Sequence, residues 1–261
     1  MIAAADAAPR RASSSLRSPA RFVIFATPRS ASTTFVMALE KARATMLFET
    51  LNAAHAPMWL YNGLGFANHS QVTHALPRFM ERLWNTTPPS IWCQASAIAC
   101  GFKLFPTHLR PPATLHQLFV SGGGGGLTHA IVLRRLDAQA QYESLKRAAA
   151  SGDWGNDGQH DAVGQHICLR GRDSARCANS MRSALHERFF RPPKDLPSFM
   201  REHDVWHAAV NKTAARAHVP ILTVYSEDLN GTKAMAETIR SVMGFLGVSS
   251  SSVETPRGEL S

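Results

Sequence analysis

The chain has 261 residues, 44% of them hydrophobic, so it is long enough to bury a large core and too apolar for wholesale disorder. Lysine and arginine number 28 against 19 aspartate and glutamate residues, and the resulting net charge of +9 favours anionic partners. The excess is concentrated in residues 1–21 and 166–194, which excludes a uniformly basic nucleic-acid coat.

The two ends of the chain differ in composition from its middle. Residues 1–20 are rich in alanine, serine and arginine, and we expect a disordered basic tail or, alternatively, an organelle transit peptide. Residues 249–261 are predicted to form a flexible C-terminal tail. One domain, residues 21–248, lies between them and contains a polar, basic insertion at 155–195. No apolar run reaches the length of a membrane span, and no secretory signal is evident.

The four cysteines, Cys93, Cys100, Cys168 and Cys177, include no C-x-x-C pair. This spacing excludes a zinc ribbon and a thioredoxin-type motif. We therefore expect free thiols in a reducing compartment, and a cytoplasmic protein. An organelle is the alternative if the N-terminal segment is a transit peptide.

Short apolar runs alternate with helical periodicity along the domain. Buried strands are predicted at residues 22–26, 45–48, 98–105, 129–133 and 219–225. Helices are predicted at residues 32–44, 72–84, 137–150, 196–217 and 233–246. Five consecutive glycines, 122–126, precede a strand and are predicted to be a connector rather than a phosphate loop. The alternation predicts an α/β fold with three layers, a mainly parallel sheet flanked by helices.

The segment between the first strand and the first helix is typical of an anion-binding loop. Small side chains allow backbone N–H groups to approach an anion, and the positive end of the helix points at the same place. Arg29 adds a guanidinium, while Ser30, Ser32, Thr33 and Thr34 add hydroxyl groups. The loop is not a Walker A motif, because the glycine-lysine pair is missing. An ordinary Ser/Thr helix cap is the alternative.

Five short motifs follow one another along the domain: Pro28-Arg29-Ser30-Ala31-Ser32-Thr33; Phe48-Glu49-Thr50-Leu51-Asn52; Gly101-Phe102-Lys103-Leu104; Arg135, Asp137, Gln141, Tyr142 and Ser144 with Ala148, Gly152 and Trp154; and Tyr225-Ser226-Glu227-Asp228-Leu229 with Phe245-Leu246-Gly247. In this order they resemble the sulfotransferase family that uses 3′-phosphoadenosine 5′-phosphosulfate (PAPS), specifically its bacterial and carbohydrate-type branch. The resemblance covers about residues 21–248 and implies a P-loop-NTPase-like sulfotransferase fold. The chain departs from the family at Ala31, where the family has glycine, and at Thr50, where it has proline.

The resemblance implies transfer of a sulfuryl group from PAPS, as co-substrate and without a metal, to a hydroxyl acceptor. Residues 29–34 would bind the 5′-phosphosulfate of PAPS. Arg135 and Ser144 would hold its 3′-phosphate. Arg134, the residue before Arg135, is the second choice for that phosphate. Successive side chains of a strand point to opposite faces, so Arg134 is expected to face away from Arg135.

Four residues are candidates for the chemistry. Arg29 would stabilise the charge that develops on the bridging oxygen, and Lys103 would assist it; the alternative for Lys103 is a snorkelling lysine at a strand end. Glu49 matches the family's carboxylate and would be the general base, although without the family match a surface loop glutamate is the better interpretation. His108 is the second candidate for the base.

Two other functions stay open: a non-catalytic nucleotide- or polyanion-binding protein, and a kinase-like phosphotransferase, which the missing Walker lysine disfavours. The acceptor is expected to be a glycan, a lipid or a small alcohol, with neither nucleic acid nor a membrane span involved. The basic insertion is either a solvated surface or a lid for an anionic acceptor such as an acidic glycan. His203 and His207 have a spacing that suits a metal, but no third ligand is evident, and a packed amphipathic helix is expected.

Overall fold

The computed structural model describes residues 19–47, 50–51, 58–85, 98–109, 114–120, 126–151 and 192–248. Within these residues five strands form one sheet: β1 (Ala20–Phe25), β2 (Ala44–Leu47), β3 (Ala99–Leu104), β4 (His129–Arg134) and β5 (Ile221–Tyr225). Every strand pairing is parallel, and the strand order is β2-β3-β1-β4-β5. The predicted α/β fold with a parallel sheet flanked by helices is therefore confirmed.

The described part of the chain contains eight α-helices: α1 (Ser32–Lys41), α2 (Met58–Gly63), α3 (His69–His74), α4 (Leu76–Asn85), α5 (Leu115–Val120), α6 (Ala138–Ser151), α7 (Leu196–Arg216) and α8 (Thr232–Phe245). Two short 3₁₀ helices, Pro106–His108 and Ser226–Leu229, follow β3 and β5. None of the helices described is long and apolar enough to cross a membrane.

Side-chain alternation along the central strand divides the core between the two faces of the sheet. Phe22 and Ile24 belong to a cluster with buried residues of α1 and α8, whereas Val23 and Phe25 belong to a cluster with buried residues of α2 to α5 and α7. This is the period of two that a strand imposes. Because helices cover both faces, the strands are apolar on both sides, as their sequences indicated.

The helices between β2 and β4 differ most from the prediction. The helix expected at residues 72–84 is two helices, α3 and α4, separated at Ala75. Pro77 explains the break, because proline has no N–H to bond to the preceding turn and is tolerated only in the first turn of a new helix. The helices α2 and α5 were not predicted, since six residues are too few to show a helical period.

Several predicted segments lie outside the described residues. These are residues 1–18 of the basic tail, 122–125 of the glycine run, 152–191 with most of the basic insertion, and 249–261.

Cys100 is buried in β3 and is disulfide-bonded; the other three cysteines lie outside the described residues. The prediction of free thiols is therefore wrong for Cys100. The sequence reasoning looked for C-x-x-C pairs, and a disulfide with any other spacing is not detected in that way.

Candidate functional site

The loop between β1 and α1 lies at the carboxyl edge of the sheet, where open α/β sheets bind their ligands. Two of its residues, Arg29 and Ala31, have left-handed backbone angles, with φ of 64° and 57°. That region costs a residue with a side chain about 1–2 kcal/mol. Ala31 thus takes a conformation that glycine would reach at little cost, and the rest of the loop must hold it there.

The first turn of α1 faces this loop without a side-chain cap, so it is not the ordinary Ser/Thr cap considered from the sequence. The N–H groups of Ser32, Thr33 and Thr34 have no carbonyl one turn earlier to bond, and they carry the positive end of the helix dipole. Ser30 is completely buried, and its hydroxyl donates to the carbonyl oxygen of Thr27 (2.7 Å). The Ser30 hydroxyl therefore closes the loop, while the N–H groups of α1 are available for an anion.

Arg29, Arg135 and Ser144 converge next to the start of α1. The Nε of Arg29 donates to the Oγ of Ser144 (2.8 Å), and an Nη of Arg135 donates to the carbonyl oxygen of Arg29 (3.4 Å). The sequence assigned Arg29 to one end of PAPS and the other two residues to the opposite end. The structure instead brings all three into one cluster. Two half-buried arginine side chains at one end of the same loop favour an anion beside them.

Gln141, on the first turns of α6, also contacts the loop. Its side chain is buried, and its amide nitrogen donates to the Thr27 hydroxyl (3.0 Å) and to the carbonyl oxygen of Pro28 (2.7 Å). Sequence reasoning included Gln141 in a motif and gave it no role. The motif itself was the only signal, because the residues that Gln141 bonds are more than 100 positions away in the chain.

Arg134 is placed away from the loop. Its guanidinium pairs with the carboxylate of Asp204 on α7 (3.2 Å), and both side chains are largely exposed. Arg134 follows Ala130 and Val132 in the alternation of β4, and those residues face α7. The structure therefore brings Arg135, and not Arg134, to the β1–α1 loop.

Glu227 fixes the start of α6, a role that sequence reasoning also missed. Its carboxylate accepts hydrogen bonds from the backbone N–H groups of Leu136 (3.1 Å) and Asp137 (3.4 Å). Burial raises the pKa of Glu227, but these N–H groups and the Ser226 hydroxyl outweigh it, so the pKa lies below its usual value. An ionised Glu227 thus positions the helix that carries Gln141 and Ser144.

Lys103 is the last residue but one of β3, and His108 ends the 3₁₀ helix that follows this strand. Lys103 is only 3% exposed, which is not the exposure of a snorkelling lysine, and its Nζ lies 4.9 Å from the centre of the Phe105 ring. His108 is also buried, and its Nδ1 faces the backbone N–H of Phe105 at 3.3 Å. In a neutral ring that accepts this bond, the proton is on Nε2.

Glu49 lies outside the described residues, but the chain that follows it is well anchored. Thr50 and Leu51 are both 1% exposed. The hydroxyl of Tyr61 donates to the carbonyl oxygen of Thr50 (2.8 Å), and Nε2 of His69 bonds the carbonyl oxygen of Leu51 (2.9 Å). The segment after β2 is therefore held at the same edge of the sheet as the β1–α1 loop.

His203 and His207 lie on the inner side of α7, close to Arg134. Burial, with a contribution from the Arg134 cation, lowers the pKa of each to about 4. His203 also packs against the ring of Phe199, with ring centres 3.9 Å apart. Within the described residues, no group of three or more metal-ligating side chains is placed to hold a metal ion.

These two histidines should make stability depend on pH. The unfolded chain takes up protons near pH 6.5, whereas the folded protein resists them down to about pH 4, so stability should fall as the pH drops through this window. The slope is at most about 1.4 kcal/mol per pH unit for each histidine. Urea midpoints measured between pH 4 and 7 should change less with pH in a His203→Leu, His207→Phe variant. His116→Gln is the control, because His116 is exposed on α5, and an unchanged slope in the double variant would contradict the assignment.

No protein-family model matches the sequence, and comparison with curated proteins also finds no match. A function must therefore be argued from the geometry of the site and from the motifs.

Proposed function

We propose that the protein is a PAPS-dependent sulfotransferase that transfers a sulfuryl group to a hydroxyl acceptor. The observation that carries the proposal is the convergence of Arg29, Arg135 and Ser144 beside the uncapped start of α1. Guanidinium groups, a hydroxyl and a helix N-terminus together suit a ligand with several anionic groups. The order of the five sequence motifs adds support for PAPS among such ligands.

The donor set fits PAPS chemically. The motifs assign residues 29–34 with the first turn of α1 to the 5′-phosphosulfate, and Arg135 with Ser144 to the 3′-phosphate. Because Arg29 bonds Ser144, binding PAPS in this way would exchange that bond for bonds to the two ends of the nucleotide. Lys103 adds a buried cationic side chain near the same edge of the sheet. A kinase-like phosphotransferase fits less well, because this loop has no lysine in the Walker position.

Bound PAPS would supply the activated sulfuryl group and a phosphate leaving group. Arg29 would donate to the oxygen that becomes anionic as the bond to sulfur breaks, and Lys103 would lower the energy of the same charge. Glu49 would accept the proton of the acceptor hydroxyl as its oxygen bonds to sulfur. The protein contributes placement and charge stabilisation, as enzymes of in-line phosphoryl transfer do.

Nucleotide selectivity tests the 3′-phosphate site. Calorimetry should show that 3′-phosphoadenosine 5′-phosphate (PAP) binds much more tightly than AMP, which lacks the 3′-phosphate. Arg135→Ala should remove most of that difference, because a hydrogen bond to a charged group is worth about 1.5–3 kcal/mol, or roughly 10–100-fold in affinity.

Arg134→Ala is the matched control, because it removes the same charge one residue away from a side chain that pairs with Asp204. We expect it to leave the ratio of the PAP and AMP affinities unchanged. Equal affinities in the unaltered protein would contradict a 3′-phosphate site. Loss of the ratio in Arg134→Ala alone would exchange the roles of the two arginines.

The acceptor is to be found by following labelled sulfate from PAPS into a panel of glycans, lipids and small alcohols. Transfer to one class would establish the reaction. Tight binding of PAP without transfer to any of them would favour the non-catalytic nucleotide-binding protein.

The disulfide at Cys100 counts against the reducing compartment expected from the sequence. Disulfides persist in oxidising compartments and are rare in a reducing cytosol. Alkylation of the protein from its native source without reductant tests this, since a fully alkylated Cys100 would favour the cytoplasm.

A further inference from the structure

The side-chain amide of Gln141 is hydrogen-bonded to the β1–α1 loop. The residue is 1% exposed, and its nitrogen donates to the Thr27 hydroxyl at 3.0 Å and to the Pro28 carbonyl oxygen at 2.7 Å. A side-chain amide nitrogen has two protons, so the loop uses both of them. Because the site is buried, water cannot replace these bonds without cost.

The Pro28 carbonyl that Gln141 holds belongs to the peptide unit that contains the N–H of Arg29. In a planar trans peptide the C=O and N–H bonds point in opposite directions. Gln141 therefore turns the N–H of Arg29 away from α6. Arg135 holds the next carbonyl, that of Arg29, at 3.4 Å, and so turns the N–H of Ser30 away from itself in the same manner.

Arg29 needs such support because its φ of 64° lies in the left-handed region, which a side chain disfavours. Without the bond to Pro28, the peptide before Arg29 is free to rotate toward commoner angles. Such a rotation would move both the N–H of Arg29 and the start of its side chain, which now reaches Ser144. Strained backbone at a functional site persists only where surrounding contacts hold it.

We propose that Gln141 is a positioning residue for the β1–α1 loop: by fixing the Pro28–Arg29 peptide it holds Arg29 in its left-handed conformation, from which the guanidinium reaches Ser144 beside the start of α1. The identity of the anion rests on the proposed function. The hydrogen bonds of Gln141 to the loop do not, because both partners belong to this chain.

Gln141→Met tests the role, because methionine has nearly the same length and no donor. Gln139→Met is the matched control, since Gln139 is exposed on the same helix. In the ligand-free protein, amide hydrogen exchange in residues 26–34 should be at least tenfold faster in Gln141→Met, and unchanged in Gln139→Met. The affinity for PAP should fall roughly 10–100-fold only in Gln141→Met.

A double-mutant cycle separates positioning from a general loss of stability. If Gln141 acts through Arg29, Gln141→Met and Arg29→Ala together should lower turnover by clearly less than the product of their separate effects. Multiplicative losses, or unchanged exchange in residues 26–34, would overturn the proposal. Should Gln141→Met not fold, Gln141→Glu serves instead, because it keeps the size and can accept from the Thr27 hydroxyl in place of donating to it, but cannot donate to Pro28.

These measurements also separate the role of Gln141 from the proposed function. A protein that fails to bind PAP would remove the proposed function. Exchange in the ligand-free loop would still decide whether Gln141 positions it.

Discussion

Arg29→Ala should lower turnover by about 10²–10³-fold, the usual effect of removing a group that stabilises developing charge. The affinity for PAP should fall much less, because the Arg29 guanidinium contributes most when the bridging oxygen becomes anionic. Ser144, Arg135 and the first turn of α1 stay in place to hold the nucleotide. Turnover at saturating PAPS and acceptor, with PAP affinity from calorimetry, measures the two effects separately.

Arg29→Lys refines the same experiment. Lysine keeps the positive charge but has no counterpart of the Arg29 Nε–H, which donates to Ser144 at 2.8 Å. We expect a loss smaller than that of the alanine variant. Arg240→Ala, an exposed arginine on α8, is the control and should be fully active. A variant of Arg29 that binds PAP poorly and yet turns over normally at saturation would make Arg29 a binding residue alone.

The sheet was predictable because its signal is local. Each buried strand is a short apolar run, and the boundaries of β3 and β4 lie within one residue of those predicted. The parallel arrangement followed from the helices between the strands, since parallel neighbours need a crossover connection. The errors in the predicted helices also have local causes. The helices α2 and α5 are too short to show a helical period, and Pro77 divides a run of residues that otherwise has helical spacing.

The contacts within the site could not be predicted in the same way. The bonds of Gln141 to the loop span more than 110 positions, and so does that of Arg29 to Ser144. Hydrophobic periodicity reports which face of an element is buried and not which side chains meet at the sheet edge. Motif resemblance named most of the residues that converge, but it divided them between two ends of a ligand. Their common cluster, and the role of Glu227 at the start of α6, required the fold.

Glu49→Gln should reduce turnover by roughly 10²–10⁴-fold, the usual contribution of a general base. Glutamine keeps the shape of the side chain and cannot accept a proton. PAP affinity should be unchanged, because nucleotide binding needs no proton transfer to this residue. The acidic limb of the pH–rate profile, where the carboxylate of Glu49 becomes protonated, should disappear in the variant.

The anchoring of its neighbours makes Glu49 a suitable base. One peptide bond joins it to Thr50, which is 1% exposed and held by the Tyr61 hydroxyl. A carboxylate next to an anchored residue can be positioned precisely at little entropic cost. Tyr61→Phe should therefore share part of the effect of Glu49→Gln on turnover, with PAP affinity again unchanged.

His108 is the competing base, and the structure gives it a weaker case. The lone pair of its Nδ1 accepts from the backbone N–H of Phe105, so the neutral ring has its proton on Nε2 and no second acceptor. Measuring His108→Asn beside Glu49→Gln decides between them. A large loss in Glu49→Gln with an active His108→Asn is the expected result. The reverse pattern would make His108 the base, and full activity in both would leave proton transfer to solvent or to a residue outside these motifs.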